Sequence, residues 1–173
     1  MDKMQSLCWV RVALVAMCFV LPVQSQSQSQ SQSQSQSPAM ELELPDIHSN
    51  AFVRLADYAP KPMVINFWNS DCPPCAAEMP ILVQVASSTP EVQFLGVAVD
   101  DRIKASRFLS RFTVPYVQLL APQNSDGIMR RFGDPKGILP YTVVLHKDRR
   151  ICQTHIGAVD LAWVLSATRA CAY

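Results

Sequence analysis

Residues 63–80 read MVINFWNSDCPPCAAEMP, and this stretch decides the fold. Its first six residues are almost continuously apolar and β-prone, which predicts a short strand buried on both faces. A polar break at 69–71 ends the strand, and a helix is predicted over 73–86 because proline is favoured at a first helical position. Pro80 falls inside this helix and is expected to kink it. The Cys-Pro-Pro-Cys sequence at 72–75 therefore lies where a buried strand passes into a helix.

Strand and helix patterns alternate along the rest of the chain. The last two strand patterns are separated only by the polar turn 147–150, which predicts a hairpin. On the second helix, Ile103, Phe108 and Leu109 are predicted to face the core. The order β-α-β-α-β-α-β-β-α indicates an α/β domain with a central mixed sheet and helices on both faces. The predicted strands are 63–68, 92–99, 116–120, 141–145 and 151–156, and the predicted helices are 73–86, 102–111, 127–132 and 159–170.

The cysteine pair at 72–75 has the setting of a redox centre. Only a thiolate attacks a disulfide, and the positive end of a helix stabilises a thiolate at Cys72. Cys75 lies three residues later on the same side of the first turn, where it can resolve a mixed disulfide formed by Cys72. A structural disulfide and half of a zinc site are the alternatives, although the chain has no second CxxC sequence to complete four zinc ligands.

The first 40 residues lack the patterns of a globular sequence. Two basic residues precede the apolar stretch 12–23 and small residues follow it, which is the order of a secretory signal peptide, here predicted as residues 1–25. The stretch is shorter than the roughly 20 apolar residues of a membrane span, and an uncleaved anchor is the alternative. Alternating Gln and Ser predict a disordered linker over 26–40, because the repeat offers nothing apolar to bury. The globular domain is predicted over 41–173.

Charge and cysteine content narrow the possible functions. The chain has a formal charge of +1, and the predicted signal peptide carries that charge, so the remaining residues are formally neutral. A neutral chain argues against nucleic acid as the main partner. Four cysteines follow the predicted signal peptide, and an even number in an exported protein indicates disulfides.

Cys152 and Cys171 are predicted to form a second, structural disulfide. Cys152 lies on the last predicted strand and Cys171 at the end of the closing helix, which is expected to run back along the sheet. About 16 Å of strand and about 16 Å of helix bring the two cysteines to a similar depth. The bond also requires Cys152 to point towards the helix, and strand alternation leaves that orientation open.

The segment NFWNSDCPPCAAEMP resembles the active-site region of TlpA/ResA-like thiol–disulfide oxidoreductases of the thioredoxin superfamily. The resemblance continues through FLGVAVD and GILPYTVVLHKDRRICQTHIG and covers the chain from Leu42 to its C-terminus. It implies a thioredoxin-like fold and an exported protein-disulfide reductase that uses a cysteine pair and no cofactor. Cytochrome c maturation is among the processes that such reductases serve.

The resemblance assigns roles to residues on both sides of the site. Cys72 would be the attacking thiol and Cys75 the resolving thiol. Pro140 would be a cis proline opposite this pair, with the backbone of Leu139 available to pair with an extended substrate segment. An ordinary trans proline before a strand is the alternative for Pro140.

Glu78 is the predicted base for Cys75. Thioredoxins place a buried Asp six residues before the first cysteine, where this chain has Asn66, and an amide cannot exchange a proton at neutral pH. Glu78 lies one turn beyond Cys75 on the same helix face, and related reductases carry a functional Glu there. A solvated Glu on the helix surface is the alternative.

Asp71 departs from the family pattern, because relatives usually have Trp directly before the first cysteine. A negative charge beside Cys72 should disfavour its thiolate, and Pro74 lacks a backbone N–H that could donate to it. Both effects should raise the pKa of Cys72 and leave the pair less oxidising, which favours a reductase or isomerase over a disulfide donor.

Peroxidases and copper metallochaperones on related folds require residue patterns that differ from this sequence. A peroxidase of the peroxiredoxin type needs a Thr shortly before its reactive Cys, and residues 69–71 contain none. A copper metallochaperone spaces its cysteines more widely and adds a metal-binding His, whereas His48, His146 and His155 are scattered. A metallochaperone and a binding module that keeps the pair only as a structural disulfide remain the alternatives.

The expected partners follow from the reductase interpretation. They are protein thiol or disulfide substrates and an upstream electron donor. No metal and no nucleic acid are expected, and a membrane would be involved only through an uncleaved signal peptide. The chain is expected to be a monomer in the periplasm or another exported location.

Overall fold

The structure is a computed structural model that describes residues 38–172. The predicted signal peptide, 1–25, and most of the predicted linker, 26–40, lie outside the described residues. Within the described part of the chain, no helix has both the length and the apolar character needed to cross a membrane.

The elements of the described chain follow the predicted order, preceded by a short hairpin. They are β1 (Glu43–Pro45), β2 (Phe52–Arg54), a short 3-10 helix (Leu55–Asp57), β3 (Met63–Trp68), α1 (Pro73–Ser88), β4 (Gln93–Val99), α2 (Arg102–Leu109), β5 (Gln118–Ala121), α3 (Asp126–Arg131), β6 (Tyr141–Leu145), β7 (Ile151–Ile156) and α4 (Leu161–Ala170). The α1 helix continues past Pro80 to Ser88, and the kink at Pro80 stays a prediction.

A five-stranded mixed sheet forms the centre of the domain. Its strand order is β5-β4-β3-β6-β7, in which β4 is parallel to both β3 and β5. The β6 strand is antiparallel to its neighbours β3 and β7. The central β3 strand is buried along its whole length, as its apolar sequence predicts. The predicted mixed sheet is therefore confirmed.

Both faces of the sheet are covered. Successive side chains of a strand point to opposite faces. On one face, Val64 and Trp68 of β3 belong to clusters formed with α1, α2 and α4. On the other, Ile65 and Phe67 pack in a cluster that includes residues of β1 and α3. The predicted α/β arrangement with helices on both faces is confirmed.

The segment before β3, residues 38–62, contributes more to the core than its sequence suggests. Before residue 63 the structure has two short strands, β1 and β2, which are paired antiparallel. Leu42, Leu44 and Leu55 from this segment are buried in the central cluster. The polar and proline-bearing residues between them hide this pattern in the sequence.

Ile103 was wrongly predicted to face the core, because its side chain is 69% exposed. Phe108 and Leu109 are buried as predicted, and Ala105 completes their stripe. Residues 105, 108 and 109 follow the i, i+3, i+4 spacing of one helix face, whereas Ile103 lies outside that stripe.

A disulfide joins the last strand to the end of the last helix. Cys152 of β7 and Cys171 after α4 are bonded, with their Cα atoms 5.9 Å apart. Cys171 is buried, and Cys152 packs against the cluster formed by α1, α4 and the sheet. The alternation of side chains along a strand left the direction of the Cys152 side chain open, and in the structure this side chain points towards α4. The backbone oxygen of Cys171 also lies 3.3 Å from Nδ1 of His146.

Candidate active site

The cysteine pair lies at the junction of β3 and α1. Cys72 is the N-cap residue of α1 and is bonded to Cys75, with Cα atoms 5.2 Å apart. The backbone N–H of Cys75 donates to Sγ of Cys72 over 3.2 Å. Cys72 is half-buried, whereas Cys75 is fully buried. Cys72 is therefore partly accessible to solvent and Cys75 is shielded, which suits an attacking and a resolving thiol.

Val99 and Asp100, at the end of β4, hold the loop that precedes Cys72. Asn69 donates from Nδ2 to the backbone oxygen of Val99 over 2.8 Å. The backbone N–H of Ser70 donates to Oδ2 of Asp100, also over 2.8 Å. These bonds fix the loop between the strand and the first cysteine. No group of three or more His, Cys, Asp or Glu side chains within residues 38–172 is placed to hold a metal ion.

Trp68 is buried within the cluster that contains Cys75. Its ring stacks on Phe108 of α2, with centroids 4.8 Å apart, and its Nε1 donates to Oε1 of the buried Gln118 over 3.0 Å. Gly96 makes room for this arrangement, because a Cβ at that position would overlap the Gln118 side chain. The tryptophan ring thereby links the cysteine pair to α2.

Glu78 is buried on α1, one turn beyond Cys75, with only 1% of its surface exposed. The backbone N–H of Val159 donates to Oε2 over 3.0 Å, and Nδ2 of Asn66 donates to Oε1 over 2.7 Å. Burial raises the pKa of Glu78 to about 7, although both hydrogen bonds act in the opposite direction. The interpretation of Glu78 as a solvated surface residue is therefore wrong.

Asn66 has a part in the site that the sequence pattern did not indicate. Besides its bond to Glu78, its Nδ2 donates to Oγ1 of Thr142 on the adjacent strand over 3.1 Å. Its Oδ1 is buried and has no hydrogen-bond partner among the described residues. An inward polar residue in the apolar run of β3 was the available signal, since such a side chain needs partners when buried.

Pro140 and Leu139 lie close to the cysteine pair. The Leu139–Pro140 peptide bond is cis, so the alternative of a trans proline is wrong. Leu139 packs against the same cluster as Cys72 and Cys75. The backbone oxygen of Pro140 accepts from Gly157 over 2.8 Å, whereas the backbone groups of Leu139 make no hydrogen bond within the described part of the chain.

Asp71 is paired with Lys104, a cation that lies 33 residues away in the sequence. Nζ of Lys104 on α2 lies 2.8 Å from Oδ2 of Asp71, and both side chains are exposed. The Asp71 carboxylate beside it raises the pKa of Lys104. The negative charge next to Cys72 is thus partly compensated, which weakens the effect expected of Asp71 alone.

Known proteins resemble this chain in sequence and in fold. The "Soluble secreted antigen MPT53" of Mycobacterium tuberculosis is 37% identical over 70 residues, which are 40% of this chain and 39% of that protein. The "Thiol-disulfide oxidoreductase ResA" of Geobacillus thermodenitrificans is 29% identical over 101 residues, which are 57% of this chain and 56% of that protein. The chain thus matches between about two fifths and three fifths of the length of these curated relatives.

A solved structure shows the thioredoxin-like fold and confirms that prediction. It is a secreted Mycobacterium tuberculosis disulfide oxidoreductase described as homologous to E. coli DsbE, with a TM-score of 0.64 and 26% identity. The alignment covers 75% of this chain and 95% of that one. The Redoxin family model matches residues 32–165, which include the cysteine pair, Glu78 and Pro140. This chain therefore belongs to the Redoxin family, within the TlpA/ResA-like part of the thioredoxin superfamily.

Proposed function

We propose that this chain is an exported thiol–disulfide oxidoreductase that reduces disulfides in protein substrates through Cys72 and Cys75. The observation that carries the proposal is the asymmetry of the pair, in which an accessible Cys72 caps α1 and is bonded to a fully buried Cys75. The oxidoreductase and secreted proteins among the relatives support both the activity and the export.

The proposed reaction uses the two cysteines in sequence. The Cys72 thiolate attacks one sulfur of the substrate disulfide, which forms a mixed disulfide and releases the other substrate sulfur as a thiolate. Cys75 then loses its proton and attacks Sγ of Cys72, which closes the Cys72–Cys75 disulfide and releases the second substrate sulfur. Two electrons pass to the substrate, and an upstream thiol donor must return two electrons to the pair.

Glu78 is the proposed proton acceptor for Cys75. The two residues are three positions apart on α1, which places side chains about 5–6 Å apart at Cβ, and both are buried. A pKa of about 7 lets Glu78 take up and release a proton near neutral pH. Asn66 is proposed as a positioning residue, because its Nδ2 donates to one carboxylate oxygen.

The segment at Leu139 and Pro140 is the proposed substrate-binding edge. The backbone groups of Leu139, which have no hydrogen-bond partner within residues 38–172, suit strand-like pairing with an extended substrate segment next to Cys72. Ile138, just before them, has an exposed apolar side chain that can contact the substrate. Proteins of cytochrome c maturation, implied by the family resemblance, are one substrate class to test.

The direction of the reaction is proposed from the setting of Cys72. Pro74 removes one N–H donor from the neighbourhood of the thiolate, and Asp71 adds a negative charge that Lys104 only partly compensates. A less stabilised thiolate favours donation of electrons to substrates over their withdrawal.

Reduction of insulin by dithiothreitol tests the proposed activity. The wild-type protein should accelerate the reaction, and Cys72→Ser should reduce the rate to that of dithiothreitol alone. Cys152→Ser with Cys171→Ser is the matched control, which should keep the acceleration. An unaccelerated reaction with wild-type protein, or full activity in Cys72→Ser, contradicts the proposal.

A further inference from the structure

A basic pocket adjoins the cysteine pair on the side of α2. It has a volume of about 300 Å³ and is open to solvent. It is lined by Ser70, Asp71, Lys104, Arg107, Phe108 and Arg111. Because Asp71 directly precedes Cys72, their Cα atoms are only about 3.8 Å apart. Any segment bound in the pocket therefore contacts the residue that directly precedes Cys72.

Positive charge exceeds negative charge in this basic pocket. Its three cations face a single carboxylate among the lining residues, that of Asp71, which is paired with Lys104. Arg107 and Arg111 form no ion pair within residues 38–172, and both are exposed. Two arginines are thus available to an incoming anion, on a chain whose formal charge beyond the predicted signal peptide is zero.

Two neighbouring carboxylates, those of Asp100 and Asp101, form no ion pair with these arginines. Asp100 accepts hydrogen bonds from the backbone N–H groups of Ser70 and Asp101. Asp101 caps α2 and accepts from the backbone N–H groups of Ile103 and Lys104. Both carboxylates precede Arg107 by more than one turn, and the charged group of the pocket on which they act is Lys104.

Arg111 is held in place before any ligand binds. Its guanidinium carbon lies 4.3 Å from the centroid of the Phe108 ring, and its Nε donates to the backbone oxygen of Phe108 over 3.3 Å. Phe108 stacks on Trp68, which lies in the same cluster as Cys75. A fixed guanidinium loses less conformational entropy on binding, and its remaining N–H groups match the geometry of a carboxylate.

We propose that the basic pocket docks an acidic segment of the disulfide-bearing substrate protein, with its Asp or Glu side chains on Arg107 and Arg111. The inference rests on the proposed function and specifies its substrate class. An extended chain spans about 3.3 Å per residue, so the acidic residues should lie within a few positions of the substrate cysteine. Charge complementarity of this kind raises the rate at which substrate and protein associate productively. This gain in rate falls as salt is added.

Three fluorescent peptide disulfides test the proposal. They share one sequence and differ only in carrying Glu, Gln or Lys at the two positions beside the cysteine. For the wild-type protein, kcat/KM should be highest for the acidic peptide, and the preference should shrink as salt is added. Arg107→Gln and Arg111→Gln should each lower kcat/KM for the acidic peptide about twofold to fivefold. Both should lower kcat/KM for the neutral peptide by a smaller factor than for the acidic peptide.

A charge-matched control separates the pocket from overall charge. Arg130→Gln with Arg131→Gln removes two exposed arginines from α3, outside the basic pocket, and should leave the acidic preference intact. An equal loss in this control, or no preference for the acidic peptide in the wild type, overturns the proposal.

Binding is also measured without turnover, by fluorescence anisotropy of the acidic peptide in its thiol-blocked form with the oxidised protein. Loss of this binding in Arg107→Gln with Arg111→Gln supports the pocket even when no peptide is reduced. Absence of turnover with detectable binding contradicts only the proposed activity. Absence of binding alongside turnover of all three peptides at equal rates contradicts only the pocket.

Discussion

At the scale of single residues, the protonation of Glu78 links the site to the stability of the fold. Burial favours the neutral carboxyl group, whereas the N–H donors from Val159 and Asn66 favour the carboxylate. Burial dominates, and the pKa of about 7 lies above the ordinary value of 4.5. The native state therefore holds a proton at pH values where the unfolded chain has already lost it.

Glu78→Gln should remove a pH dependence of stability. Between pH 4.5 and about 7 the native protein binds more protons at Glu78 than the unfolded chain does, so the wild-type free energy of unfolding falls as pH rises through this window. The loss is on the order of 3 kcal/mol. Chemical denaturation of oxidised protein at several pH values should show this slope in the wild type and in the exposed control Glu91→Gln, but not in Glu78→Gln. The same dependence of the free energy of unfolding on pH in all three proteins would contradict a buried Glu78 carboxyl group with a raised pKa.

The Asp71–Lys104 pair should tune the reduction potential of Cys72 and Cys75. Asp71→Asn removes a negative charge and frees Lys104, which stabilises the Cys72 thiolate and makes the potential less negative. Lys104→Gln leaves Asp71 uncompensated and shifts the potential the other way. Because both side chains are exposed, each shift should be on the order of 10 mV. Equilibration with glutathione measures it, and shifts of the same sign would rule out this coupling.

At the scale of secondary structure, the Cys152–Cys171 disulfide ties α4 to the edge strand β7. The bond closes a short loop, since the two cysteines are 19 positions apart. Cys152→Ser with Cys171→Ser should lower the free energy of unfolding by about 3 kcal/mol, because the unfolded chain without the bond has more conformational entropy. Insulin reduction should persist, because neither residue belongs to the site. Two free thiols in denatured, unreduced Cys72→Ser, Cys75→Ser protein would show that the bond is absent.

The elements around the cysteine pair could be predicted because their signals are local. The apolar run of β3, the proline at the start of α1 and the i, i+3, i+4 spacing on helices need only a few consecutive residues. The contacts that define the site are not local. Glu78 meets Asn66 from 12 residues away and Val159 from 81 residues away. Asp71 meets Lys104 across 33 residues. The spacing along α1 predicts that Glu78 lies on the same helix face as Cys75. It predicts neither the burial of Glu78 nor its hydrogen-bond partners.

At the scale of the whole molecule, we expect the predicted signal peptide to decide where the protein acts. Residues 1–25 are expected to direct export and then to be removed, which would leave a mature chain that begins with the Gln/Ser repeat. An oxidising compartment would also permit the disulfide at Cys152. Mass spectrometry of protein recovered from the periplasm or medium of a bacterial host should give the mass of residues 26–173. Recovery of the full-length chain in the membrane fraction would support an uncleaved anchor instead.

Trapping of the mixed disulfide tests most directly whether Cys72 is the attacking thiol and Cys75 the resolving thiol. Cys75→Ala, once reduced, should form a mixed disulfide between Cys72 and a substrate peptide and should be unable to release it, because the resolving thiol is missing. Mass spectrometry should show this adduct accumulating in Cys75→Ala and absent from Cys72→Ala. An adduct through Cys75 in the Cys72→Ala protein, or no adduct in either variant, would contradict the assignment of Cys72 as the attacking thiol.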